Sequence, residues 1–179
     1  MPSDSSSTAL FPLLQEIEIA ARDRLYLLAV VCSLSLPDIC VRLELENGAK
    51  ASQIGAKYKE WCSRNLPTDF LKPADLWRLR CKLVHEGKLS GLNAEGIRRI
   101  VLVPENPCVS IKNCQLGDAY TYDAKDFCLV ITDGVKRWLK NNESNEIVQK
   151  NDSSGICVGS SSPDFGQREP VNKYGESPR

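Results

Sequence analysis

Apolar residues from Leu10 recur at helical spacing through Leu13, Leu14, Ile17, Ala21, Leu28 and Val31. They predict a long amphipathic helix that becomes apolar all round near Leu28. Pro37 lacks the N–H that the helix ladder uses, so a kink or a fresh helix is expected there. Ile39, Cys40 and Leu43 carry the stripe on to Glu46, and Asn47-Gly48 supplies a stop. Ser52 suits the cap of a third helix, in which Ile54, Tyr58, Trp61 and Cys62 fall at i, i+4, i+7 and i+8 before Pro67 ends it. Pro73 suits a first helical position, Asp75 a first turn and Gly87 a stop, so a fourth helix is expected from Pro73 to Glu86.

Beyond Gly87 the periodicity changes. Ser90-Gly91 and Asn93 predict a loop. Ile100-Val101-Leu102-Val103 and Val109-Ser110-Ile111, on either side of Pro104-Glu105-Asn106-Pro107, predict a small β-hairpin. Asp123, with Asp126 three residues on, has the form of an N-cap for a last helix carrying Phe127, Val130, Ile131 and Trp138 on one side to about Lys140. From Asn141 the chain is rich in Asn, Ser, Gly, Pro and charge, which predicts a flexible tail over 141–179; residues 1–8 read as a flexible start. The expected fold class is mainly α: a helical bundle over 9–140 with a small β-hairpin before its last helix.

Composition narrows the function classes more than the fold. At 179 residues there is room for one core and one site. Lys plus Arg (23) balances Asp plus Glu (23), so no global field recruits nucleic acid, and any RNA contact must come from a local patch. Cys32, Cys40, Cys62, Cys81, Cys108, Cys114, Cys128 and Cys157 form no C-x-x-C pair, and the chain has a single histidine. They read as small buried hydrophobes in a reducing cytosol, with no metal and no cofactor expected. Met1 to Thr8 lacks the basic start of a signal peptide. The apolar stretch Leu25 to Leu36 is shorter than the roughly 18 residues of a membrane span and has charges before and after it. A buried core helix in a cytoplasmic protein is expected. P-loop, dinucleotide, G-x-S-x-G and H-E-x-x-H patterns are absent, which removes support for those enzyme classes.

The chemistry lies in the fourth helix. At about 100° per residue, Leu76, Leu79 and Leu83 share an arc, with Val84 at its edge and Arg80 inside it. A cation so bracketed must snorkel, find an acid, or line a cleft or subunit interface. His85 ends the same helix, where it either serves general acid–base chemistry or simply complements the C-terminal dipole.

The segment Leu79-Arg80-Cys81-Lys82-Leu83-Val84-His85-Glu86-Gly87 resembles the R-x4-6-H motif of the HEPN superfamily in its flanks as well as its spacing. Cys81 stands where many active members carry Asn, Asp or His. The helical layout over Leu10 to Leu139 also resembles small bacterial members, with Leu28 to Cys40 and Tyr58 to Trp61 as the earlier helices. Arg78 shares a helical face with His85, whereas Arg80 lies about 140° from it on an ideal helix; the flanks favour Arg80 as the motif arginine. The resemblance implies a metal-independent endoribonuclease whose two copies form one composite cleft. Arg80 and His85 would be catalytic, and RNA would be cut to a 2′,3′-cyclic phosphate and a 5′-hydroxyl. Arg78 and Lys82, with Lys88, would contact the RNA backbone or form a solvated face. Toxin or phage-defence roles, with an antitoxin or regulatory partner, go with such domains. The other readings are a non-catalytic HEPN-like dimerisation or nucleotide-binding module, and a structural helical protein in which Arg80 and His85 only pack.

Overall fold

The computed structural model describes residues 8–45, 53–94, 97–104 and 114–153. Its elements in chain order are α1 (Leu10–Arg22), α2 (Tyr26–Leu43), α3 (Ile54–Asn65), α4 (Pro73–Glu86), β1 (Ser90–Ala94), β2 (Ile97–Val103), β3 (Cys114–Leu116), β4 (Ala119–Asp123), α5 (Ala124–Asn141) and α6 (Glu146–Ser153). The fold is mainly helical with a small sheet, as the periodicity predicts.

The first break falls elsewhere than expected. α1 ends at Arg22, and Arg24 turns the chain with a φ of 64°, in the left-handed region. α2 then runs straight through Pro37. A proline inside a helix disturbs the hydrogen bonds of the preceding turn, and the carbonyls there need other donors. The carbonyl that loses its donor is that of Ser33, and the next carbonyl along, Leu34, accepts from the buried Tyr58 hydroxyl of α3 at 3.0 Å. α2 has a mean hydropathy of 1.7 over its 18 residues, enough by length and composition to cross a membrane, but half of it is buried inside the protein. It packs against α1, α3, α4 and α5, which is the position of a core helix.

The sheet has the order β1-β2-β4-β3, with β2 and β4 parallel and the outer pairs antiparallel. Ile100 to Val103 does lie in a strand, as expected. The loop predicted at Ser90 to Asn93 is instead the edge strand β1, and Val109 to Ile111 lies outside the described residues. β4 leads directly into α5, whose N-cap is Asp123: its Oδ1 accepts from the backbone N–H groups of Lys125 and Asp126, both at 3.0 Å. Phe70, Tyr122 and Phe127 meet with ring centroids 5.3–5.7 Å apart and tie the sheet to the helices.

The folded part extends past the tail boundary expected at Asn141. In α6, Val148 is buried, Asn151 Nδ2 donates to the Leu43 and Leu45 carbonyls at 2.9 Å, and Asp152 Oδ2 accepts from the Ala9 N–H at 2.8 Å. These polar side chains satisfy the end of α2 and the start of α1, groups that no helix can satisfy by itself. A polar composition therefore reads as a tail although its residues act as caps for other elements.

Cys40, Cys62 and Cys128 are buried. Burial pushes the Cys62 thiol up to about 12 and the Cys128 thiol up to about 11. An unfolded cysteine ionises near about 8.5, so the fold favours the neutral thiol. That contribution is fully present below about pH 8.5 and is lost as pH rises through 11 and 12. Denaturant midpoints measured across the alkaline range should fall progressively above about pH 9, and a variant with Cys62→Ala and Cys128→Ala should show a shallower fall. In a second measurement, Asn151→Ala should cost about 1–2 kcal/mol in chemical denaturation, because two carbonyls lose their donor.

Candidate functional site

α4 starts at Pro73, whose absent N–H is not missed in a first turn, and stops at Gly87, which takes a φ of 66°. Between these ends Leu76, Leu79 and Leu83 are buried, so the apolar arc faces the core as predicted. Arg80 leaves that arc toward α2. Its Nη2 donates to Asp38 Oδ2 at 2.6 Å, with the arginine side chain 18% and the aspartate side chain 8% exposed. Arg42, one turn further along α2, donates from Nε to the other carboxylate oxygen at 3.2 Å. The Arg80 guanidinium also lies 5.5 Å from the centre of the Trp77 ring, which in turn packs on Tyr58. Arg80 Nε is sealed from solvent and has no hydrogen-bond partner among the described residues.

This assembly borders an open cleft of ≈ 480 Å³. α2 contributes Asp38 and Arg42, the first turns of α3 contribute Ile54, Gly55, Ala56 and Lys59, and α4 contributes Trp77 and Arg80. Gly55 allows a close approach: a Cβ there would sit 3.0 Å from the Trp77 ring, so a larger residue would require that ring to shift. Three cations share the cleft with one carboxylate. The unmatched positive charge suits an anion such as a phosphate, which arginine and lysine bind by complementary hydrogen bonding and charge.

Of the residues expected from the sequence, Arg80 alone lines the cleft. His85 is exposed in the last turn of α4, and among the described residues no hydrogen bond or ion pair joins it to Arg80. A single chain therefore does not bring the two together, because five residues along a helix turn them to different faces. Arg78 pairs with Asp75 at 3.6 Å and Lys82 with Glu86 at 3.8 Å, while Lys88 also reaches Glu86 at 3.5 Å. Each of the three thus lies within reach of an acid on α4, Lys82 and Lys88 sharing Glu86. Among the described residues no cluster of His, Cys, Asp or Glu could hold a metal ion.

Sequence reading missed Asp38, Arg42 and Lys59. A signal for Asp38 was present: an acid within an otherwise apolar helix, four residues before an arginine, demands a partner. Lys59 carried no such signal, since a surface lysine on a helix is ordinary. No family model matches the chain, and searches of curated proteins and of solved structures return no match either.

Asp38→Ala should leave Arg80 short of its carboxylate and cost about 1–3 kcal/mol. Arg80→Ala should cost a similar amount. Since the residues touch, the double variant should lose less than the sum of the two single losses, as read from urea denaturation of all four proteins.

Proposed function

We propose that this chain is a metal-independent endoribonuclease of HEPN type that acts in the cytoplasm as a homodimer. The observation that carries this reading is the setting of Arg80: the motif arginine is held by Asp38 at the border of an open cleft with an excess of positive charge. A guanidinium fixed in this way can receive a phosphate without first giving up its orientation. His85, exposed at the end of the same helix, is free to meet a second copy, which fits a site composed from two protomers.

In such a dimer a neutral His85 imidazole takes the proton from a ribose 2′-hydroxyl. The 2′-oxygen attacks the adjacent phosphorus while Arg80 holds the non-bridging oxygens. The bond from phosphorus to the 5′-oxygen breaks, and that oxygen takes a proton from the protonated His85 of the other protomer. The products are a 2′,3′-cyclic phosphate and a 5′-hydroxyl, so atoms and protons balance without a metal. A toxin or phage-defence role, restrained by an antitoxin or other regulatory partner, would suit this activity. The second reading is a non-catalytic nucleotide-binding module. It is favoured by one specific feature, that Arg80 and His85 do not meet within a protomer.

RNA cleavage in the presence of EDTA distinguishes the two readings. The parent should cut, and His85→Ala, at an exposed position, should lose about 10²–10⁴-fold in rate with its fold intact. Mixing Arg80→Ala with His85→Ala protomers should leave the rate far below that of the parent, because a mixed dimer carries one His85 where the base and acid steps use two. A parent that cuts no RNA, or a His85→Ala variant as fast as the parent, would overturn the nuclease reading.

A further inference from the structure

We propose that Lys59, together with Arg42, is an RNA-backbone contact: the two hold the phosphodiester strand next to the phosphate that Arg80 receives. This deepens the proposed function and rests on it for the identity of the polymer. The argument begins with charge. The chain as a whole is neutral, with 23 basic and 23 acidic side chains, so an RNA strand must be drawn by a local excess. The cleft between α2, α3 and α4 has one: Arg42, Lys59 and Arg80 face a single carboxylate, Asp38.

Lys59 differs from the cations first expected to touch RNA. Arg78, Lys82 and Lys88 each lie within ion-pair distance of an acid. Lys59 is exposed, lines the cleft, and has no ion pair among the described residues. Arg42 shares Asp38 with Arg80, yet its side chain remains 56% exposed. Arg42 and Arg80 converge on Asp38, while Lys59 stands on a third helix, so positive charge extends from that carboxylate to the α3 wall. An open trough with dispersed cations suits a chain of phosphates, whereas a single small anion is better held by a closed nest of backbone N–H groups.

The test is binding of a fluorescent single-stranded 2′-O-methyl RNA, which cannot be cleaved, followed by anisotropy over a range of salt concentrations. Lys59→Gln should weaken binding by about three- to tenfold at low salt and flatten the plot of log K against log salt by about 0.7. Arg42→Gln should behave alike, Lys59→Arg should bind as the parent does, and Lys140→Gln, at an exposed position outside the cleft, should change nothing. The proposal is overturned if Lys59→Gln binds like the parent, if Lys140→Gln loses as much, or if the parent does not bind the strand. It is also overturned if inorganic phosphate or a mononucleotide binds the parent as tightly as the strand does, since the site would then take a free phosphate. Failure of the nuclease reading looks different: the strand would bind with full dependence on Lys59, but unmodified RNA would remain uncut.

Discussion

The carboxylate of Asp38 sits in a helix that is otherwise apolar, and its burial constrains the whole neighbourhood. Removing a carboxylate from water costs several kcal/mol unless charges and hydrogen bonds replace the solvent. Arg42 replaces some of it from the same helix, and Arg80 replaces more from α4. The contact between α2 and α4 is therefore directional as well as apolar. Sliding α4 by one turn would part Arg80 from Asp38 and leave Asp38 with Arg42 alone. Leu76, Leu79 and Leu83 supply the area that holds the helices together, and the ion pair selects the register in which they meet.

The same need to satisfy buried polar groups recurs at each joint of the fold. Pro37 disturbs the middle of α2, and the Tyr58 hydroxyl from α3 reaches the Leu34 carbonyl there. The end of α2 leaves carbonyls that Asn151 meets, and the start of α1 leaves an N–H that Asp152 meets. The start of α5 is met by Asp123 at the end of β4. In each case a residue close to one element completes another. α6, short and polar as it is, belongs to the fold for this reason.

These constraints also shape the cleft. Asp38 and Trp77 hold the Arg80 guanidinium on two sides. The close approach of α3 to Trp77 across Gly55 sets one wall, and Lys59 on the next turn of α3 brings its charge to the same opening. His85 stands apart because α4 ends there, with Gly87 turning the chain away toward β1. Within one chain, Arg80 and His85 therefore face different ways, and Arg80 alone borders the cleft.

By itself the sequence determined the helices whose apolar spacing is regular and whose ends carry local signals. α4 and α5 were legible because Pro73, Gly87 and Asp123 act on their own immediate neighbours, α3 was legible from the spacing of Ile54, Tyr58, Trp61 and Cys62 alone, since the cap expected at Ser52 lies outside the described residues, and Arg80 stood out because a cation on an apolar arc must be explained. Only the tertiary structure decided what depends on residues distant in sequence. The partner of Arg80 is 42 residues away in Asp38, and the Leu34 carbonyl near Pro37 is met by a tyrosine 24 residues on. The strand β1, read as a loop from its glycine and asparagine, pairs with a neighbour that local propensity does not weigh, and α6 is ordered by contacts more than 100 residues apart. Periodicity and capping are local physics, available from neighbouring residues, whereas the satisfaction of buried charge and of helix ends is settled only when separate segments meet.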